Sequence, residues 1–403
     1  MSRISRRKFV ETSSLAALAL PQVLRGSNLF AAPAAPGAYT PPASPRATYN
    51  FNLDWRFIRE DVPGAEAPAF DDAQWSRIST PHSFNDVDSF RRIISHSGGD
   101  TGTYKGLSWY RKHFTLPADL TGRRIFLEFE GMRQAGDIYL NGKQVGLYEN
   151  GINPYGIDIT DALAPLGQPN VLAVKVDNTT TYKGRAFCAA NPKTADGSDC
   201  VPTAYEWNAN DFNPDHGGIN RNVWLHAAGK IHQTLPLYYG LESQGIYVHA
   251  ANFNIAKKTA DVTVDSEVHN LSGDRATVGL TAVIVDRTGR AVAQFDGDPV
   301  DMVDGEKSVQ TATGALANAR FWSPDDPYLY TVVTILKVDG KVVDVAHTVT
   351  GFRKTAFKGG VGTGGIYIND QFTYLKGFAD RTEGEWAAVG AGTPDWMTTT
   401  PCA

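Results

Sequence analysis

From Tyr49 onward, apolar and polar residues alternate with period two, the pattern of half-buried strands. Ile125, Leu127 and Phe129 fall on one face of such a strand. Asp137 to Leu140 and Lys143 to Val145 flank Asn141-Gly142, the pair that supplies the two positive-φ residues of a type I′ hairpin turn. Val171 to Val176 alternates again. These signals predict a mostly antiparallel sandwich over residues 49–232. In a second β unit, Val262, Val264 and Val268 share a face, and Val278, Leu280, Ala282 and Ile284 alternate before a turn at Asp286 to Gly289. Tyr330 to Val338 is a long strand turned back by Asp339-Gly340. Short strands at this spacing predict an immunoglobulin-like sandwich over residues 233–350. Residues 351–403 begin with a hairpin turned at Asn369-Asp370, and the apolar pattern dissolves after Phe378. No repeat of roughly 20–50 residues is present.

Composition narrows the class. The 403 residues carry 38 Lys+Arg against 43 Asp+Glu, a formal net charge of −5, which argues against a nucleic-acid partner. With 39 Gly, 22 Pro and 11% aromatics, a turn-rich β protein is favoured over a helical one. Three cysteines are too few for a disulfide scaffold or a thiolate metal site.

The N-terminus reads as an address. Ser5-Arg6-Arg7-Lys8-Phe9-Val10 fits the twin-arginine pattern, Ser13 to Leu24 is a short apolar region, and Ala31 to Ala35 offers small residues for cleavage. Residues 1–35 are therefore expected to be an export signal, residues 36–48 a Pro/Ala linker without a core, and the mature chain periplasmic or extracellular with no membrane span. In that oxidising space Cys188 and Cys200 are candidates to pair across a short loop; free, small apolar cysteines are the other reading.

The order of motifs resembles the N-terminal part of glycoside hydrolase family 2, the β-galactosidases, β-glucuronidases and β-mannosidases. Trp55-Arg56-Phe57, Pro81-His82-Ser83-Phe84-Asn85-Asp86 and Trp109-Tyr110-Arg111-Lys112-His113-Phe114 come first. Phe129-Glu130-Gly131, Tyr139-Leu140-Asn141-Gly142-Lys143 and Gly218-Ile219-Asn220-Arg221 follow. Phe321-Trp322-Ser323-Pro324 with Pro327-Tyr328-Leu329-Tyr330, then Gly351-Phe352-Arg353 and Tyr374-Leu375-Lys376-Gly377, complete the series. The resemblance implies a jelly-roll sugar-binding domain, an immunoglobulin-like sandwich, and a stub of a (β/α)8 barrel over residues 351–403. It implies a retaining β-glycosidase whose paired glutamates sit about 5–5.5 Å apart at barrel strand ends. Both are expected beyond Ala403, so this chain is expected to be inactive alone; Glu383 and Glu385 are read as solvated loop charges. A stand-alone carbohydrate-binding module is the alternative.

The resemblance also implies site residues. Asp211, with Asp215 as its competitor, would reach a sugar hydroxyl, a task suited to a carboxylate acceptor. Asn85 and Asp86 would face the same cleft, or else serve the turn in which they stand. Arg221 is expected to pin its loop by a salt bridge, and Trp224, in a strand pattern, to pack in the core. The expected partner is a β-linked sugar or oligosaccharide, a β-galactoside first, because Phe378 to Trp386 resembles galactosidase-like members. Phe378-Ala379-Asp380-Arg381 nevertheless replaces the family's Asn-x-His. His113, His226 and His249 are isolated, so neither metal nor cofactor is expected.

Overall fold

A computed structural model describes residues 24–25, 37–85, 104–151, 153–179, 193, 197, 199, 217–360, 364–375 and 377. The described residues are nearly all β, with two sandwiches in sequence. The first contains β1 (Leu24–Arg25), β2 (Ala47–Asn50), β3 (Trp55–Ile58), β4 (Ser76–Ile78) and β5 (Leu107–Thr115). It continues with β6 (Arg124–Phe129), β7 (Ala135–Leu140), β8 (Lys143–Tyr148), β9 (Tyr155–Asp158), β10 (Pro169–Asp177) and β11 (Val223–Ala228). One antiparallel sheet runs β1-β2-β11-β6-β9 and the other β4-β3-β5-β10-β7-β8.

Period-two alternation builds the core between these sheets. Ile125, Leu127 and Phe129 face Val223, Leu225 and Ala227 across the β6–β11 ladder and meet Leu172, Val174 and Val176 from the opposite sheet. Phe126 breaks the alternation because its ring, on the outer face, is covered by His232 at 5.3 Å. Asn141 and Gly142 take φ of 52° and 82°, as the hairpin joining β7 to β8 requires.

A second, smaller core lies on the outer face of β5 and β10. Residues 59–75 fold over that face, and Ala65 and Trp75 pack on Trp109 and Ala173. Arg111 holds this layer from beneath. Its fully buried guanidinium donates to the Asp72 carboxylate at 2.7 Å and to the carbonyls of Ala65, Ala67 and Phe70. His113 shares the same carboxylate oxygen at 2.7 Å. Burial alone would raise the Asp72 carboxyl, but the bonds from Arg111 and His113 outweigh it and hold the carboxyl below its ordinary range.

The second sandwich contains β12 (Ile231–Gln233), β13 (Ile246–Asn254), β14 (Thr259–Asn270), β15 (Ala276–Val285) and β16 (Ala291–Asp296). β17 (Val300–Met302), β18 (Lys307–Leu316), β19 (Tyr330–Val338) and β20 (Lys341–Thr350) complete it. β14 is flanked by β12 and β13 on one edge and β18 on the other, opposite a sheet ordered β16-β15-β19-β20. Val262, Val264 and Val268 meet Val278, Leu280, Ala282 and Ile284 in its core. Val283 and Val285 point the other way, yet they are buried too, beneath Tyr39.

That last contact corrects the reading of residues 36–48. Residues 37–46 lie along the second sandwich, and Ala47 already belongs to the first. Beyond the sandwiches, β21 (Thr355–Lys358), β22 (Gly365–Ile368) and β23 (Gln371–Thr373) form a small antiparallel sheet. Phe357, Phe372, Tyr374 and Leu375 there are exposed.

Candidate sugar-facing end of the first sandwich

The connections that the sequence marks for sugar contact meet at one end of the first sandwich. After β4, residues 81–85 run beside residues 217–219. His82 N–H donates to the Ile219 carbonyl at 2.8 Å and Phe84 N–H to the Gly217 carbonyl at 3.0 Å. Arg133 and Gly218 exchange two backbone bonds of 2.9 Å, bringing in the β6–β7 connection. Two glycines permit this approach. A Cβ on Gly217 would stand 1.9 Å from the Phe84 ring, and Gly218 has φ of 137° with the His82 carbonyl 2.4 Å from any added Cβ.

Aromatic rings fill the space below. Phe57 packs edge-on to His82 at 4.6 Å, His82 Nδ1 lies 2.8 Å from the Tyr110 hydroxyl, and Phe84 packs edge-on to Tyr104 at 5.9 Å. Arg59 lies over the Tyr104 ring and donates to the Phe84 carbonyl at 3.0 Å. The result is a packed floor beneath residues 81–85 and 217–219.

Asn85 belongs to that floor. Expected to face a sugar, it is fully buried: its amide donates to the Tyr104 carbonyl at 2.9 Å, and its side-chain oxygen accepts from Gly217 N–H at 2.7 Å. Asn178 reinforces the tie, donating to the Tyr104 carbonyl at 3.0 Å and accepting from Gly106 N–H at 2.8 Å. A buried amide must satisfy its donors and acceptor locally, and backbone groups on both sides do so here. Asp86, Asp211, Asp215, Cys188, Cys200, Glu383 and Glu385 lie outside the described residues.

One further expectation is corrected. Trp224 points to the outer face of β11, because Val223 and Leu225 take the inner one, and its indole N–H donates to Glu130 at 2.7 Å. Arg221 is exposed and forms no ion pair among the described residues. Asn222 pins this loop, its amide donating to Glu130 at 2.8 Å. On the same outer face His226 lies between Glu128, at 2.7 Å, and the Thr48 hydroxyl, at 3.1 Å.

A cleft of about 710 Å³ separates the sandwiches, lined by Arg46, Thr48, His226, Thr234, Val345 and His347. Among the described residues no three His, Cys, Asp or Glu side chains converge as metal ligands, and no helix is long and apolar enough to cross a membrane.

Two β sandwiches in succession are consistent with the N-terminal domains of a glycoside hydrolase. Residues 105–209 match the "Glycosyl hydrolase 2 galactose-binding domain-like" family and residues 246–353 the "Glycosyl hydrolases family 2" domain. The chain belongs to glycoside hydrolase family 2. It is 38% identical over 356 residues to a β-glucuronidase of Formosa agariphila, covering 88% of this chain and 34% of that protein. Its identity to the β-galactosidase BoGH2A of Bacteroides ovatus is 28%, over 77% of this chain and 32% of that one. The structure of a family 2 β-glucuronidase superposes with a TM-score of 0.77 at 37% identity, covering 89% of this chain and 35% of the other. The β-glucuronidase of Bacteroides uniformis superposes at 0.68 and 26% identity, covering 87% and 37%. The chain thus spans about a third of the length of these relatives.

Proposed function

We propose that this chain is the N-terminal, sugar-facing part of an exported retaining β-glycosidase, and that it does not hydrolyse glycosides by itself. The observation that carries the reading is the succession of two family 2 sandwiches in a chain that is matched by the Formosa agariphila β-glucuronidase over 88% of its own length but covers only 34% of that relative. Cleavage of a β-glycoside needs an acid/base and a nucleophilic carboxylate about 5–5.5 Å apart across the scissile bond. Those belong to a barrel, of which the small sheet β21–β23 would be the entry. The role left to the first sandwich is to hold the connections 86–103 and 180–216, with Asp86 and Asp211, against the sugar. Asn85 serves that role by fixing the base of both connections.

The substrate is a β-linked hexoside. Relatives named β-glucuronidase and β-galactosidase both support this, and β-galactosides remain the first choice from the chain itself. The test is turnover of aryl β-galactosides and β-glucuronides by the pure chain, alone and in a longer version that includes a barrel. Turnover by the longer version only, lost on Asp211→Ala, is expected. Hydrolysis by the 403-residue chain alone would overturn the reading, and tight glycan binding without turnover in either version would favour a carbohydrate-binding module.

A further inference from the structure

The two sandwiches are joined in sequence by residues 229–230, and a second connection, distant in sequence, also ties them. Residues 37–46 cross from the second sandwich to the first. At their start, Tyr39 N–H donates to the Gly289 carbonyl at 2.7 Å, and the Tyr39 ring caps Val283, Val285, Val333, Ile335 and Val345. Ser44 then meets β20, the edge strand of its sheet. Its hydroxyl donates to the Val345 carbonyl at 3.2 Å and accepts from Val345 N–H at 3.1 Å, so one side chain satisfies both open groups of an edge residue.

Arg46 closes the crossing. Its guanidinium makes a two-pronged contact with Asp344, at 2.9 and 2.6 Å, and also donates to the Gln233 carbonyl. The Asp344 side chain is wholly buried, and Gln233 N–H adds a 2.9 Å bond to it. The Gln233 side chain in turn accepts from Ser266 at 3.1 Å. Two strands of the second sandwich, β12 and β20, therefore converge on one arginine. The next residue, Ala47, opens β2 and pairs with Ala227 in the first sandwich. Forked pairing of this kind is directional, and a buried carboxylate that loses its partner is left uncompensated.

We infer that residues 37–46 form a clasp that fixes the angle between the two sandwiches, and that the mature protein must keep them. The second clause rests on the proposed export, because leader removal must then occur before Gly37. The clasp itself does not depend on export or on hydrolysis.

The experiment compares the full chain with Arg46→Met, Tyr39→Ala and the double variant Arg46→Met/Asp344→Asn by small-angle scattering, calorimetry and limited proteolysis. Arg46→Met is expected to lower the melting of the second sandwich and to split one transition into two. It should also speed cleavage within residues 229–245 by about tenfold, as local opening becomes easier. The double variant removes the stranded charge, so it should regain most of the melting temperature while keeping the larger radius of gyration. That separation of angle from stability distinguishes a clasp from simple packing. Tyr39→Ala, which strands no charge, should enlarge the radius less. Unchanged scattering and cleavage in a folded double variant would overturn the clasp. A mature N-terminus downstream of Gly37 in the exported protein would overturn its retention.

Discussion

Asp72→Ala removes the one carboxylate among the described residues that pairs with Arg111, whose guanidinium is fully buried beneath the layer of residues 59–75. The three carbonyls that remain as acceptors carry no net charge, so the cation stays buried and unpaired. Breaking a buried pair on one side costs about 3–5 kcal/mol. For a unit of this size each kcal/mol lowers the melting temperature by about 2–4 °C, so a loss of about 10 °C is expected in the first sandwich. Asp72→Asn keeps one acceptor oxygen and should lose about half as much. The pair Arg320–Asp326, at 2.6 Å, is the control: both groups are exposed, and Asp326→Ala should leave the melting curve where it is. Because the Asp72 carboxyl is held below its ordinary range, its contribution is present near neutral pH and is lost as pH falls through that lowered value. Scanning calorimetry on the three variants decides the matter. A melting temperature for Asp72→Ala within about one degree of the unaltered chain would refute the argument that this carboxylate holds the layer in place.

Three more outcomes are expected. Gly217→Ala drives a Cβ into the Phe84 ring and should destabilise by about 1–3 kcal/mol, seen as a lower urea midpoint. His232, buried at the junction of the sandwiches, has its pKa pushed down from 6.5 to about 4, chiefly by burial and then by Arg46. The fold therefore prefers its neutral form, and stability should fall as pH drops from 6.5 toward 4, by roughly 3 kcal/mol at saturation. Urea unfolding across that range should show a flatter slope in His232→Gln. Replacing Arg6 and Arg7 by Lys should leave the precursor in the cytoplasm, and normal export of that variant would remove the twin-arginine reading.

What the sequence made legible was local. Strand faces such as Ile125, Leu127 and Phe129 follow from period two, and the turns at Asn141-Gly142 and Asn369-Asp370 follow from residues that tolerate positive φ. The corrections share a different cause. Residues 37–46 read as a linker because Pro and Ala carry no periodic signal, while their contacts lie about three hundred residues away, through a hydroxyl, a guanidinium and one ring. Asn85 read as a site residue because an exposed turn and a buried tie use the same short amide; only the approach of Gly217 distinguishes them. Trp224 read as core because it sits in an alternating strand, yet Val223 and Leu225 claim the inner face of that strand.

The clasp also carries a consequence for the order of synthesis. Ser44 and Val345 are separated by 301 residues, so the start of the chain cannot settle until nearly all of it has been made. At ribosomal rates of about 5–20 residues per second, Ser44 waits roughly 15–60 s for its partner. The first sandwich can close once β11 has emerged, well before Asp344 exists to receive Arg46. In that interval Tyr39 has no valine face to cover, and the inter-sandwich angle is unset. A nascent chain should therefore pass through a stage with one finished sandwich and a loose front end, open to proteases at residues 37–46. Released chains truncated near residue 240 and near residue 360 would differ in that sensitivity, because only the longer one holds both halves of the fastening.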